Sequence, residues 1–499
     1  MEKTFEGIKA LDTKRIFVLG NGFDLAHYLP TAYVHFMDAM KIVEDSGEDS
    51  ELGFDSLFRK YIAGECSDRD KDFFTKTMQL YKTDDLRLSI QTVNDLQEKL
   101  INNGWFQHFK HHLTDVDTWI DFENEIQSLL VKMCDVFDMS FDDKTIGYFS
   151  ESARVYLNNI SDSHNLAIKA TDVLASNYQQ INKNFFDNFR LQKTFVQNTL
   201  RNFLIVKDLY YKAEDVHNPN GFGASSIQYS KICEEEFESL RESSSFYNVR
   251  VAKKSFKNVI DINFLKKYSD SYLEFEGSKV LRQILSHLDG FNDIFKLYIE
   301  QVVNKLEPKS KFARFGDLNE NLEAVFTFNY SSSFERLYPD IELLSINNVQ
   351  YVHGNTDSRK IVLGISDLED ERLRGYKIYG FVKTHQKLLN STDYQFLDHE
   401  DLNINSIKEE SLSETPYEVI VWGHSLADSD AEYIRAIFAL NKNERSPNCR
   451  LRVMCYEGDA HEPLANLIHI VTKGVIEQWM KKGWLVFETA PDIYKENHR

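Results

Sequence analysis

The stretch Arg15-Ile-Phe-Val-Leu-Gly-Asn-Gly-Phe-Asp-Leu-Ala-His27 decides how the rest of the chain is read. Ile16 to Leu19 is a short apolar run of the kind a buried parallel strand presents. Gly20 and Gly22 follow at once, and glycine both tolerates positive φ and lets another group approach the backbone closely. A helix is expected to open near Phe23-Asp24, its free N–H groups and dipole facing the turn, and such an end attracts phosphate. Strand, glycine turn and helix end make a corner suited to a nucleotide. The third glycine of the full fingerprint is missing, so an ordinary tight turn fits the same residues.

The same style returns late in the chain. Ala324 to Phe328 is a β-rich run ending in Asn329-Tyr330, and Val349 to Val352 ends in His353-Gly354. Ile361 to Leu363 leads to Gly364, and Tyr417 to Trp422 leads to Gly423-His424-Ser425-Leu426. Leu451 to Cys455 is expected to be the final strand. Parallel strands carry ligand-binding loops at their C-terminal ends. The simplest assembly is one α/β domain made from both chain ends, residues 1–53 and 311–499, around a parallel sheet.

Residues 54–310 read as a large all-helical insertion. Trp119, Phe122, Ile126, Leu129 and Met133 fall on one helical face. Leu174, Tyr178, Ile181, Phe185 and Phe189 repeat the spacing, as do Leu281, Ile284, Leu288, Phe291 and Phe295. Asn218-Pro-Asn-Gly-Phe-Gly223 is a break. Pro30 is expected to end the first helix and Thr31 to cap the next. Residues 44–53 and 396–416 read as loops.

Composition narrows the function classes. Hydrophobic residues at 42% and aromatics at 13% of 499 residues exclude a disordered chain. The net charge of −20 disfavours a general nucleic-acid-binding surface but leaves room for a small basic pocket. Five scattered cysteines without a C-x-x-C pair imply neither a disulfide framework nor a zinc knuckle, and no metal is expected. Met1 to Lys14 has no signal-type apolar core and no run reaches the length of a membrane span, so a cytoplasmic protein without membrane contact is expected.

Four strand ends converge on one edge in this reading: Gly20-Asn21-Gly22, Asn329, His353-Gly354 and Gly423-His424-Ser425. Singly, each has a plainer explanation: a turn asparagine, a hydrogen-bonded core histidine, a glycine strand break. Taken in order, Gly20-Asn-Gly-Phe-Asp24, Trp119 with Glu123, Phe328-Asn-Tyr330 with Glu335, Tyr351-Val-His-Gly354, and Gly423-His-Ser-Leu-x-Asp428-x-Asp430 resemble the motif set of the AbiH bacteriophage abortive-infection family. The order is also similar, more distantly, to sirtuin-like domains of bacterial defence proteins, whose Rossmann-like sheet binds NAD and in several members hydrolyses it.

That resemblance implies a Rossmann-like (sirtuin-like) parallel sheet and roles for particular residues. Asn329 matches the asparagine that orients the nicotinamide ribose and the attacking water, and His353 the catalytic histidine before Gly354. Gly20, Asn21, Gly22, Phe23 and Asp24 match the phosphate-side loop. Gly423, His424, Ser425 and Asp430 match the late loop near the adenosine. The zinc cysteines of deacetylating sirtuins are missing, which speaks against a peptide deacylase. The Asp-Phe-Arg segment after the first helix is also absent.

The resemblance thus implies an anti-phage effector, with NAD as its substrate, that is silent until a phage trigger or partner protein acts on it, and that is expected to be a homo-oligomer. The rival readings are a nuclease, which needs a carboxylate cluster or basic groove, and a non-catalytic nucleotide-sensing module. His108-x-x-His111-His112 with Asp115 has metal-like spacing, yet Trp105, Phe106 and Phe109 interleave as a packing face. Gly423-x-Ser425 lacks the second glycine of a nucleophile elbow. Glu123 is suited either to reach the site from the insertion or to form a salt bridge.

Overall fold

The structure is a computed structural model. It describes residues 13–47, 49–110, 118–140, 193–216, 226–232, 253–269, 272–313, 321–341, 349–356, 361–392, 396–397, 417–441 and 449–497. Its centre is a parallel sheet of β1 (Lys14–Leu19), β2 (Leu322–Thr327), β3 (Val349–Tyr351), β4 (Tyr417–Trp422), β5 (Cys449–Cys455) and β6 (Leu485–Thr489). Its strand order is β3-β2-β1-β4-β5-β6. The two chain ends therefore meet in one sheet, with β1 between β2 and β4. The order reverses at β1, and the crevice beyond the strand ends at such a point is where open α/β sheets bind ligands.

The apolar runs take these places because both faces of the inner strands are covered. Phe17, Leu19, Val325, Ile420 and Trp422 join the core shared with the insertion. Ile16, Val18, Phe326, Val419 and Val421 face the other way, into a second core with Ile434, Ile437, Leu467 and Trp479. Side chains one residue apart in a strand serve opposite layers, so every position must be apolar.

The helices that position the site are α1 (Asn21–Ala26), α2 (Tyr33–Asp45), α3 (Trp119–Ser140), α4 (Gly277–Gln301), α5 (Ser333–Leu337), α6 (Lys383–Asn390) and α7 (Ala431–Ala439). α3 and α4 confirm two of the three periodic series, with Phe122, Ile126, Leu129, Met133, Leu281, Ile284, Leu288 and Phe291 all buried. The series from Leu174 to Phe189 lies outside the described residues.

Several expectations are corrected. The insertion is not all-helical: Val206–Val216, Ser226–Ile232 and Lys253–Ile260 form an antiparallel sheet, and Leu265–Ser269 pairs with Tyr272–Phe275. The break at 218–223, itself outside the described residues, connects the first two of these strands. Ile361 to Leu363 is no strand, because the Gln386 side chain bonds both the N–H and the C=O of Leu363 in place of a neighbouring strand. β5 is not the last strand, since β6 pairs along its outer edge. α1 opens at Asn21, two residues early, and ends at Ala26, before Pro30. α2 is capped at Ala32 without a side-chain bond, while the Thr31 hydroxyl is buried and unpartnered.

Candidate functional site

The glycine turn is packed against the loop after β4. Gly20 N–H bonds Trp422 O, Gly22 N–H bonds Gly423 O at 2.8 Å, and Phe23 N–H turns back to Gly20 O. Cβ atoms on Gly20 and Gly22 would stand 2.5 and 2.6 Å from the His424 and Gly423 backbone. Gly423 has φ +72, and a side chain there would meet Phe23 N. The glycines thus serve loop-on-loop contact, and the amides of Gly22 and Phe23, expected to face phosphate, are bonded to backbone carbonyls. Phe23 is a core residue, its ring 5.1 Å from Trp422 and 4.3 Å from His27. Asn21 is half-buried at the start of α1.

Asp24 is buried and holds three side chains from the segment after β2. It accepts from Asn329 Nδ2 at 2.9 Å, from Ser331 Oγ at 2.5 Å and from Ser333 Oγ. Burial raises its carboxyl to about 6, against the lowering effect of those donors and of Arg336. Asp24 is therefore a clamp joining α1 to the β2 end. It fixes Asn329, whose own N–H bonds Thr327 Oγ1 and whose Oδ1 is buried without a partner.

Thr327 and Tyr351 are register partners, so Asn329 and His353 each lie two residues past the last pair of adjacent parallel strands. His353 is 5% exposed, edge-on to Phe328 and stacked beside Tyr330. Gly354 turns the chain there with φ +73. Burial lowers the His353 imidazole to about 4, although Asp430 opposes the shift, so the ring is neutral near pH 7. Its Nε2 stands 3.4 Å from Asp430 Oδ1, too long for a good hydrogen bond, and both atoms are buried with no other hydrogen-bond partner.

Asp430 also faces His424 Nε2 at 3.5 Å. Because Leu426 N–H donates to His424 Nδ1, the neutral ring carries its proton on Nε2, toward that carboxylate. Burial alone would raise the Asp430 carboxyl, but the positive charge of Lys383 holds it well below the usual range, so it is ionised. Ser425 contributes its carbonyl, which accepts from Asn466. His353, His424 and Asp430 thus gather beyond the ends of β3 and β4, and Asn329 lies at the neighbouring end of β2 with its amide turned to Asp24.

Two residues that the sequence reading did not single out complete the cluster. Lys383 and Lys387 lie one turn apart on α6 and are 3% and 1% exposed. Lys383 bonds Glu123 of α3 at 2.5 Å, so Glu123 does reach the site, through a salt bridge. Lys387 pairs with Glu432 at 2.9 Å and lies over the Tyr433 ring. The rest of the motif set is structural: Trp119 Nε1 bonds Thr31 O, and Tyr351 OH bonds Glu335. Ser331-Ser-Ser333, directly after Asn329-Tyr330, was the available signal for the clamp.

Among the described residues no group of three or more His, Cys, Asp or Glu side chains is placed to hold one metal ion. His108 bonds Glu125 at 2.9 Å, while His111, His112 and Asp115 lie outside the described residues. A surface concavity of about 500 Å³, lined by Gln127, Ser128, Val131, Lys132, Glu369 and Asp370, touches none of the cluster.

Fold and site together define a parallel α/β protein with a closed polar cluster at the switch point of its sheet. A family model described as bacteriophage abortive infection AbiH matches residues 233–453, the span holding Asn329, His353, Lys383 and Asp430. Over that span the match supports the AbiH resemblance. No curated protein and no solved structure matches the chain. No helix among the described residues is long and apolar enough to cross a membrane.

Proposed function

We propose that the chain is an abortive-infection effector that hydrolyses NAD to nicotinamide and ADP-ribose. The observation that carries this reading is the placement of Asn329 and His353 at adjacent strand ends, with Asn329 Oδ1 and His353 Nε2 buried without a hydrogen bond and Asp430 3.4 Å from His353. A parallel sheet whose strand order reverses at β1, with Asn329 and His353 just beyond its strand ends, supports the reading.

The chemistry is balanced with these groups. The bond between the ribose C1′ and the nicotinamide nitrogen breaks, and the electron pair leaves with neutral nicotinamide. Positive charge develops on the ribose, and the Asp430 carboxylate is of the sign that stabilises it. Water forms the new C–O bond, its proton passing to neutral His353 and then to solvent. The Asn329 amide, fixed by Asp24, orients the water or ribose hydroxyls. Because the cluster is almost fully buried, the substrate enters only after the loops part, which suits an effector held silent until triggered. The trigger, partner protein and oligomeric state belong to that same proposal.

The test is nicotinamide release from NAD by purified protein, with and without phage lysate. His353→Ala and Asn329→Ala should each abolish release while circular dichroism is unchanged. Full activity in either folded variant contradicts the assignment. ADP-ribose binding without nicotinamide release under both conditions favours a sensing module, and cleavage of a nucleic-acid substrate in parallel favours a nuclease.

A further inference from the structure

The glycine turn leaves a question about the dinucleotide's phosphates, since Gly22 and Phe23 donate their amides to Gly423 O and Gly20 O. The groups of matching charge lie elsewhere. Lys383 and Lys387 project from one face of α6 and are almost wholly withdrawn from water, a rare state for lysine. Lys383 stands between two carboxylates: Glu123 of the insertion, in contact at 2.5 Å, and Asp430 of the sheet domain, which acts on it through space.

We infer that Lys383 binds the diphosphate of the substrate, and that the Glu123 carboxylate occupies that anion's place in the closed form. The inference rests on the reading of the site as one for an NAD-like dinucleotide. Charge counting supports it. With Asp430 and Glu123 both ionised, and Lys387 already paired with Glu432, an entering diphosphate would add two negative charges around the Lys383 ammonium in a low-dielectric setting. Entry therefore requires Glu123 to leave or to take a proton, and its burial already favours the protonated carboxyl.

A purely structural role explains the pair less well. A buried ion pair is a weak stabiliser compared with apolar side chains of the same volume. This pair moreover joins the insertion to the sheet beside the unpartnered His353 Nε2 and Asp430 Oδ1. Asp430 would then face the ribose and Lys383 the diphosphate, matching the opposite charges at the two ends of the scissile half of NAD.

The experiment compares wild type, Lys383→Gln and Glu123→Gln in the full chain. ADP-ribose binding is measured by calorimetry. Nicotinamide release is followed from NAD and from nicotinamide riboside, which lacks the diphosphate. Lys383→Gln should weaken ADP-ribose binding and raise KM for NAD at least tenfold more than KM for the riboside, because the loss common to both substrates reports only on Asp430. Glu123→Gln should tighten ADP-ribose binding several-fold. Equal losses on NAD and riboside, or unchanged ADP-ribose affinity in folded Lys383→Gln, overturn the inference even if NAD is hydrolysed. ADP-ribose binding that depends on Lys383, without any nicotinamide release, sustains the inference and removes the glycohydrolase. Should Lys383→Gln fail to fold, Glu123→Gln decides alone: tighter binding supports the inference and unchanged binding overturns it.

Discussion

The side-chain amide of Asn329 donates to the Asp24 carboxylate at 2.9 Å, tying the end of β2 to the first helix of the chain. Ser331 and Ser333 share the same acceptor. Asp24→Ala would strand three buried donors, and we expect a loss of about 3 kcal/mol in urea unfolding. Asp24→Asn keeps one acceptor oxygen and should lose less than half of that. Equal losses in the two variants would show that the carboxylate is not a clamp.

Acid sensitivity follows from the buried imidazoles. Burial holds His27, His35 and His353 near 4, against 6.5 in the unfolded chain. The stability each contributes is present above 6.5 and falls away as the pH drops toward 4. Asp24, raised from 3.8 to about 6, acts in the opposite sense, because its folded form keeps a proton that the unfolded chain releases. Among these four groups, three against one leave a net uptake of about two protons on unfolding near pH 5, a loss on the order of 3 kcal/mol per pH unit. Urea midpoints at pH 7, 6 and 5 check this, and a flat series contradicts it.

His35 offers a sharper form of the same test. Its ring is packed among Tyr61, Phe73 and Phe74, and its Nδ1 is buried without a partner. His35→Phe should be neutral or stabilising by about 1 kcal/mol at pH 7. It should also take about one proton from the pH dependence.

Glycines separate by sign. Gly423→Ala must relieve both a positive φ and a Cβ 2.0 Å from Phe23 N, so it should cost about 3 kcal/mol or prevent folding. Gly474 lies in the helix Lys473–Lys481 with nothing within 4 Å of an added Cβ. Gly474→Ala should therefore stabilise by about 0.5–1 kcal/mol. Melting temperatures of the two variants should move in opposite directions.

On the proposed mechanism, nicotinamide release should be insensitive to pH across the neutral range. With His353 lowered to about 4 by burial, the base stays unprotonated well below 6.5, so the acid limb of nicotinamide release should lie near 4 in protein that remains folded. An acid limb at 6.5 would mean that the imidazole doing the chemistry is solvated.

Sequence reading reached what is encoded locally. Strands β1 and β4 were legible because burial on both faces demands unbroken apolar runs, as in Ile16 to Leu19 and Val419 to Trp422. β6 escaped because it is an edge strand, with Val486, Phe487 and Glu488 half-buried. In the insertion, Val206–Val216 and Lys253–Ile260 carry charges throughout and owe their strand state to each other.

The site divides in the same way. Asn329 and His353 stood out because each directly follows an apolar run. Lys383 did not, since nothing around it announces a lysine to be buried; its partner Glu123 comes from a remote helix. The glycine turn was located correctly, but its amides were assigned to a ligand when Gly423 O takes one of them, a contact only the assembled sheet creates.

The central position of β1 sets a condition on how the protein is made. Arg15 pairs with Glu418, 403 positions later, and its other neighbour is Leu322. At roughly 5–20 residues per second, on the order of 20–80 s separates the synthesis of the first strand from that of its last flanking partner. Until Leu322–Thr327 is made the apolar ribbon Ile16 to Leu19 has no neighbouring strand, and until Tyr417–Trp422 is made one of its edges stays open. A ribosome stalled before Tyr417 would hold a product in which the ends of β1 and β4 have not been brought together.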